Sequence, residues 1–321
     1  MAEYKDDIQG AEALKTKHDE LLKEIGRVVY GQKEIIEQVL TVMFAGGHCL
    51  LVGVPGLAKT LLVNTISKAL DLKYKRIQFT PDLMPSDITG SEILDENKQF
   101  KFVKGPVFAN IILADEINRT PPKTQSALLE AMQEHTVTVS GNNYKLEEPF
   151  FVLATQNPVE QEGTYPLPEA QLDRFMFNVI LDYPDLEDEI TIVKNTTKDT
   201  VIEPQKVLSS NEIIYFRDLI KRAPVADNVI KYAVSLAAKT RPKTKNSDPL
   251  ADKYLNWGAG PRASQYLITG AKTYALLHGK YSPDIDDVKA VALPVLRHRI
   301  IRNYQAEAEG LTEDELIRKM M

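Results

Sequence analysis

A glycine-rich turn between an apolar strand and a helix is the feature that most restricts how this chain can fold. The segment Gly-Val-Pro-Gly-Leu-Ala-Lys-Thr occupies residues 53–60, directly after the apolar run 50–52 and before a helical pattern of leucines and isoleucine. A turn this tight requires glycine, and it directs backbone N–H groups inward, where they can bind a phosphate chain. In this pattern Lys59 is expected to neutralise the β- and γ-phosphates and Thr60 to ligate Mg²⁺. The residues expected to contact the nucleotide in this segment are Gly53, Val54, Pro55, Gly56, Leu57, Ala58, Lys59, Thr60 and Leu61.

The residue before the lysine departs from the usual pattern, which has glycine where this chain has Ala58. Alanine accepts a right-handed helical backbone at the start of a helix, so we expect Ala58 to be right-handed and the loop to keep its shape. A glycine turn of this kind also occurs without any ligand, so the prediction needs a second signal.

Short apolar strands alternate with helical patterns up to about residue 184, after an opening amphipathic helix that includes Leu14 and Leu21. Such alternation is typical of a parallel sheet with helices on both faces, an α/β fold. The predicted strands cover residues 50–52, 76–79, 111–114, 150–154 and 177–181.

Two excursions interrupt the alternation, and the pattern changes after them. One is an insert near residues 81–105, and the other is a hairpin near 136–146 that turns at Gly141-Asn142-Asn143. Beyond residue 184 helical patterns take over. We therefore predict a core domain over residues 1–184 and a smaller helical domain over 185–321.

The second signal is the strand 111–114, which ends in Asp115 and Glu116. In a parallel sheet the carboxyl end of this strand lies beside the glycine turn, where Asp115 can hold Mg²⁺. Glu116 can act as the base that orients an attacking water molecule. An alternative is that the two acids only cap the next element, a helix over 124–134. Together with the glycine turn, the pair indicates hydrolysis of a nucleoside triphosphate.

A third strand ends in Asn157, whose amide can position the water molecule or contact the γ-phosphate, although asparagine before proline also forms turns. Three arginines complete the candidates. Arg174 lies in a predicted short helix at 168–175, and Arg262 begins a later helix after Gly260-Pro261. Arg119, just past Glu116, is a candidate for reaching across a subunit interface. A guanidinium group stabilises charge on a transferring phosphoryl group.

Composition excludes several other classes of function. The net charge is −6, which argues against a broad basic face for DNA or RNA. The sole cysteine, Cys49, is expected to be buried and inert, and it allows no internal disulfide. The first residues lack an apolar signal-peptide core, and no apolar run reaches the length of a membrane span. We expect a cytoplasmic protein without membrane insertion.

Four motifs, taken in their order along the chain, resemble the MoxR family of AAA+ ATPases. They are the turn at 53–60, Asp-Glu-Ile-Asn-Arg-Thr-Pro-Pro-Lys-Thr-Gln at 115–125, Ala-Thr-Gln-Asn-Pro at 154–158, and Glu-Ala-Gln-Leu-Asp-Arg-Phe at 169–175. The resemblance runs from about residue 31 to the last helices. Alanine before the lysine also fits, because MoxR-like loops commonly carry it.

The resemblance implies an αβα ATPase core with a helical lid, a hexameric ring, and ATP with Mg²⁺ as cofactors. It assigns Lys59 and Thr60 to the Walker A motif and Asp115 and Glu116 to Walker B. Asn157 corresponds to sensor 1. Arg174 corresponds to the arginine finger given to a neighbour's nucleotide. Arg262 corresponds to sensor 2, and whether it acts in its own subunit or on a neighbour stays open. The relatives' adenine contacts fall at Val29, Gly31 and Gln32.

MoxR-like proteins are thought to act as chaperone-like remodellers of protein clients, often with partners that bear von Willebrand factor A domains. We take that role as the leading hypothesis. One alternative is a nucleic-acid motor, because the same insert and hairpin occur in replicative helicases. Another is a chelatase-like subunit that drives metal insertion together with a separate partner. The metal site would then belong to the partner, because the five histidines of this chain are scattered.

Overall fold

The computed structural model describes residues 4–94, 96–159, 163–197 and 202–321. Within them the chain forms two compact units. The first comprises Asp19–Leu167 and Val179–Ile214, and the second comprises the described residues up to His18 together with Pro168–Asn178 and Tyr215–Met321. The predicted division into residues 1–184 and 185–321 stays a prediction.

The helices and strands of the described residues follow one another in the expected alternation before residue 184. The helices are α1 (Asp7–Gly26), α2 (Lys33–Ala45), α3 (Lys59–Ala69), α4 (Pro85–Thr89), α5 (Pro122–Glu134), α6 (Glu169–Leu172), α7 (Leu186–Thr196), α8 (Ser210–Arg222), α9 (Asp227–Lys239), α10 (Pro249–Tyr254), α11 (Pro261–Leu277), α12 (Ile285–Leu296), α13 (Tyr304–Ala308) and α14 (Glu313–Met320). The strands are β1 (Cys49–Val52), β2 (Tyr74–Gln78), β3 (Gly90–Leu94), β4 (Phe100–Lys104), β5 (Ile111–Asp115), β6 (Thr136–Val139), β7 (Asn142–Lys145), β8 (Phe151–Gln156), β9 (Phe177–Ile180), β10 (Leu255–Trp257) and β11 (Ile301–Arg302).

Five strands form the central sheet in the order β2-β5-β8-β1-β9. Strand β1 pairs with β8, β2 with β5, and β5 with β8, and these three pairings are parallel. Strand β5 is apolar and fully buried from Ile111 to Ala114, because helices cover both faces of a parallel sheet. The predicted fold class, an αβα core followed by a helical lid, is confirmed.

The register of the sheet brings polar residues to one edge. Gln78 on β2 pairs with Asp115 on β5, and Val52 on β1 pairs with Gln156 on β8. The glycine turn follows β1, and Asn157 follows β8. Since the carboxyl ends of parallel strands share one edge, this register places the candidate site residues together.

Two local features differ from the sequence predictions. The hairpin β6–β7 turns at Ser140-Gly141, both with positive φ (49° and 82°), so Asn142 and Asn143 belong to strand β7 and not to the turn. A two-residue turn of this hand matches the twist of the paired strands. The lid also contains the short antiparallel pair β10–β11 among its helices.

Cys49 is fully buried in β1, as predicted. Burial raises the pKa of its thiol, because the charged thiolate is disfavoured away from water. The thiol is therefore neutral and unreactive at physiological pH.

Candidate functional site

A cavity of about 340 Å³ opens at the carboxyl edge of the sheet, within the first unit. It is lined by Pro55, Gly56, Leu57, Ala58, Lys59, Thr60, Asp115, Glu116, Thr155 and Asn157. Three separate motifs of the sequence thus meet around one space. Gly53, Val54 and Leu61 are not among its lining residues, and the Leu61 side chain is exposed.

The glycine turn contains two residues with left-handed backbone. Gly56 has φ +89° and carries no strain there. Ala58 has φ 54° and ψ 24°, so the expected right-handed conformation is wrong. Ala58 is the N-cap residue of α3, which is half outside the helix and need not have helical angles. A left-handed alanine costs about 1–2 kcal/mol, which the surrounding loop must offset.

The Lys59 ammonium group lies inside the curve of the loop, where it donates to the Gly53 carbonyl. Burial lowers the pKa of Lys59, and the nearby charges of Asp115 and Glu116 oppose that shift. An ammonium group held by its own loop and facing two carboxylates is suited to meet the charge of a phosphate chain.

Both carboxylate oxygens of Asp115 accept hydrogen bonds. Thr155 on β8 donates its hydroxyl to Oδ1 at 2.6 Å. Arg76 on β2 donates from Nε and Nη2 to Oδ2 at 3.0 and 2.6 Å. The side chain of Asp115 is only 15% exposed, so these two partners fix its orientation.

Glu116 is also held in place by its neighbours. Its backbone is left-handed, with φ 56°, and its N–H donates to the Thr155 hydroxyl at 2.8 Å. Gln78 donates to Glu116 Oε2 at 3.0 Å, and Arg119 donates to the same oxygen at 3.1 Å. Strained backbone at a carboxylate that faces a cavity is typical of functional sites. Arg119 thus contacts the second acid of the pair within its own chain, and its predicted reach across a subunit interface stays a prediction.

Sequence reasoning missed three residues of this site, namely Arg76, Gln78 and Thr155. All three lie on strands beside β5. Gln78 and Thr155 stand near the carboxyl ends of their strands, which was a signal for this edge of the sheet, whereas Arg76 is the third residue of β2 and carried no such signal. Gln78 lies two residues after Arg76, on the same face of β2, and Arg76 Nη2 donates to Gln78 Oε1 at 2.6 Å.

Asn157 lies in the cavity wall and is 6% exposed. Its Oδ1 accepts the N–H of Val159 at 3.1 Å, which makes the turn that asparagine before proline favours. The turn uses the amide oxygen. The amide nitrogen is the donor that the side chain can offer to a ligand.

The three residues expected to contact adenine have different environments. Val29 and Gly31 line a second cavity of about 720 Å³, which shares no lining residue with the first. Gln32 is buried, and its Nε2 donates to the Leu57 carbonyl at 3.1 Å. Gln32 therefore connects the segment beside the second cavity to the glycine turn. Its Oε1 is buried without a hydrogen-bond partner among the described residues.

Arg174 and Arg262 belong to the second unit, where one aspartate lies next to both. Arg262 Nη1 is 3.3 Å from Asp173 Oδ2, and the Arg174 carbonyl accepts a hydrogen bond from Tyr266. Arg299 is almost fully buried and binds Asp173 Oδ1 at 2.8 Å. Asp173 thus forms ion pairs with Arg262 and Arg299, and it precedes Arg174 in the chain.

The chemistry of the first cavity fits a nucleotide with Mg²⁺. Lys59, Thr60 and Asp115 line one space together with the glycine turn, and the hydroxyl and carboxylate oxygens of Thr60 and Asp115 are ligands that suit Mg²⁺. Among the described residues no cluster of three or more His, Cys, Asp or Glu side chains could hold a metal by itself. In that same part of the chain, none of the helices has the length and apolar character to cross a bilayer.

Comparison with known proteins gives matches along almost the whole chain. The family described as ATPase family associated with various cellular activities (AAA) matches residues 48–177, and the AAA lid domain matches residues 248–320. The uncharacterised protein YeaC of Bacillus subtilis is 41% identical over 94% of this chain and 92% of its own length. Chaperone MoxR1 of Mycobacterium tuberculosis is 39% identical over 93% of this chain and 79% of its own length. A crystal structure of a candidate ATPase from Cytophaga hutchinsonii is 45% identical, with a TM-score of 0.91 over 97% of this chain and 95% of that one.

Proposed function

Because the chain belongs to the MoxR family of AAA+ ATPases, we propose that it binds ATP with Mg²⁺ in the cavity at the sheet edge and hydrolyses it. The observation that carries this proposal is the gathering of Lys59, Thr60, Asp115, Glu116 and Asn157 around one 340 Å³ space. These residues come from three strand ends that are far apart in the sequence. A binding role without hydrolysis would have little use for Glu116 at this position.

Each residue has a distinct part in the proposed reaction. Lys59 binds the β- and γ-phosphates, while Thr60 and Asp115 hold the metal directly or through water. The metal, when bound, neutralises charge that develops on the phosphate oxygens. Glu116 orients the attacking water molecule, and the Asn157 amide binds either that water or the γ-phosphate.

We further propose that the protein works as a homohexameric ring in which Arg174 reaches a neighbour's nucleotide. A relative named Chaperone MoxR1 supports a remodelling role on protein clients. A partner with a von Willebrand factor A domain and a cytoplasmic location are part of the same proposal. Since Arg262 and Arg174 flank one aspartate, Arg262 would act on the same nucleotide as Arg174.

Substitution of the candidate base tests the proposed reaction. Glu116→Gln keeps the size of the side chain and its hydrogen-bond acceptor, but it removes the carboxylate that takes up the proton. We expect ATP binding close to that of the unaltered protein and a turnover number lowered by about 10²–10⁴-fold. Binding is measured by calorimetry and turnover by phosphate release.

A matched control is Glu130→Gln, which makes the same change at an exposed position of α5. It should leave both quantities unchanged. Near-normal turnover by Glu116→Gln would contradict the proposed role of this site.

A further inference from the structure

Arg76 is bound to Asp115, the acid that the proposed metal site requires. Its guanidinium makes two hydrogen bonds to Asp115 Oδ2, and Thr155 holds Oδ1, so each oxygen of Asp115 already has a donor. No nucleotide motif of the sequence includes Arg76, and the residue does not line the cavity. It therefore reaches the metal-binding acid from outside the cavity.

The exposure of Arg76 shows that the ion pair serves the fold little. Its side chain is 46% exposed, against 15% for Asp115. Ion pairs with one partner in contact with water contribute little to the free energy of folding, because water and salt screen them. The central sheet pairs β2 with β5 over five residues and does not depend on this contact.

Resting on the function proposed above, we propose that Arg76 is a resident counter-ion of Asp115 that competes with Mg²⁺ for this carboxylate. In the nucleotide-free protein the guanidinium neutralises the acid. When Asp115 holds the metal, directly or through water, Arg76 either withdraws from the carboxylate or shares its negative charge with the metal, and either arrangement weakens metal binding. Its exposed side chain has solvent to move into.

The charges of the site support this assignment. A guanidinium and a divalent cation at one carboxylate repel each other, because both are positively charged and lie against the same group. A carboxylate has about four acceptor positions. Three hydrogen bonds already occupy the two oxygens of Asp115. Arg76 also donates to Gln78, which in turn donates to Glu116, so its withdrawal would alter the contacts of both acids.

The test measures metal affinity and not turnover. The full-length protein is saturated with a fluorescent, non-hydrolysable ATP analogue in the presence of a chelator, and the fluorescence is followed as free Mg²⁺ is raised. The Mg²⁺ midpoint of the unaltered protein is compared with that of Arg76→Gln. Lys75→Gln is the matched control, because it removes the same charge from the adjacent exposed residue of β2.

We expect Arg76→Gln to lower the Mg²⁺ midpoint by about two- to fivefold, the size of effect that a half-exposed ion pair has on its partner. Arg76→Lys keeps the charge but loses the two-pronged donor geometry, so its Mg²⁺ midpoint should lie between those of the unaltered protein and Arg76→Gln. Lys75→Gln should stay at the midpoint of the unaltered protein. If Arg76→Gln does not fold, the shift of Arg76→Lys alone decides the matter in the same way.

Three results would overturn the inference. They are an unchanged midpoint for Arg76→Gln, a raised midpoint, and an equal shift for Arg76→Gln and Lys75→Gln. A raised midpoint would mean that Arg76 supports the metal by orienting Asp115. If the unaltered protein binds the analogue only weakly and without any response to Mg²⁺, the proposed function fails as well. If the unaltered protein responds normally to Mg²⁺ but Arg76→Gln leaves the midpoint unchanged, only the proposed competition is refuted and the proposed function stands.

Discussion

Two residues of the nucleotide site, Ala58 and Glu116, have left-handed backbone although neither is glycine. Ala58 precedes the lysine that meets the phosphates, and Glu116 is the proposed base. Strain of this kind persists only where surrounding contacts hold it, and it is common where a site must be preformed. The Glu116 N–H is held by Thr155, and the Ala58 carbonyl accepts the first hydrogen bond of α3 from Leu62.

The strain at Ala58 gives a prediction about stability. Ala58→Gly should raise the free energy of unfolding by about 1 kcal/mol, because glycine has no Cβ to clash in the left-handed region. Urea denaturation measures the change, and ATP binding should be retained. The control Ala131→Gly lies in the right-handed interior of α5 and should lose at least about 1 kcal/mol. A loss of stability in Ala58→Gly similar to that in Ala131→Gly would contradict the left-handed assignment.

At the residue scale, motifs predicted the chemistry of the site but not its supporting contacts. Lys59, Thr60 and Asp115 were identifiable because phosphate and metal binding demand those residue types at that spacing. Arg76 and Thr155 lie on strands whose pairing with β5 no local pattern specifies. Their contacts with Asp115 depend on which strands become neighbours, and that is a property of the whole sheet.

At the scale of elements, the segment 168–178 around Arg174 is held by the helices and loops of the second unit. Arg299 donates to the backbone carbonyls of Asp173, Phe175 and Met176 and to the Asp173 carboxylate. The planar guanidinium has five donors, which allows one side chain to bind several acceptors at once. Arg299 thereby fixes the backbone on both sides of Arg174.

This arrangement predicts the effect of Arg299→Lys. A single ammonium group cannot reach the same set of acceptors, so Arg174 should lose its fixed position. We expect the turnover number for ATP to fall by at least about tenfold, while the affinity for nucleotide changes little, as a loss of contacts made only in the transition state implies. Turnover comes from phosphate release, and affinity from calorimetry.

The control Arg302→Lys changes a partly buried arginine of the same unit, which binds Glu313 and the Leu311 carbonyl, both outside the segment 168–178. It should leave turnover nearly unchanged. Equal losses in both variants would mean that the effect is general destabilisation and not the position of Arg174.

His298, next to Arg299, makes the second unit sensitive to acid. Burial lowers the pKa of His298 well below its usual value, and the neighbouring Arg299 charge adds to the effect. The folded protein therefore keeps the ring neutral, with Nε2 lying 3.0 Å from the Phe175 carbonyl oxygen and 2.7 Å from Arg299 Nη1. The unfolded chain takes up a proton below about pH 6.5, so this group destabilises the fold as pH falls below that value.

We expect the acid loss of stability between about pH 6.5 and pH 5 to be smaller in His298→Gln than in the unaltered protein. The slopes of the free energy of unfolding against pH in the two proteins can differ by up to about 1.4 kcal/mol per pH unit, which is the limit for one proton. Urea denaturation at a series of pH values measures it. The control His278→Gln changes an exposed histidine, and a slope difference as large in that variant would refute the assignment to His298.

Elements were more predictable than their ends. Each of the five sheet strands was found, because a buried parallel strand is an apolar run bounded by turns. The helix predicted to begin at residue 124 begins at Pro122, since proline is favoured in the first turn. The hairpin turn was predicted at Gly141-Asn142-Asn143 and lies at Ser140-Gly141, because the two asparagines look like turn residues and yet pair with β6.

At the scale of the whole molecule, assembly and client are the parts that the sequence cannot derive. Ring closure depends on surfaces of two copies, which periodicity and motifs of one chain do not encode. The net charge of −6 disfavours a phosphate-binding face, so we expect no nucleic-acid partner. Saturable, salt-sensitive stimulation of turnover by DNA would instead favour the helicase-like alternative.

The central claim is an ATPase whose sites are completed by neighbouring subunits, and steady-state hydrolysis across a wide range of protein concentrations tests it most directly. The size of the assembly is measured in the same samples. We predict that activity per subunit rises with concentration and levels off as the ring forms. Full activity per subunit at concentrations where the protein is a monomer would contradict completion by neighbours, and absence of hydrolysis from assembled rings would contradict the ATPase itself.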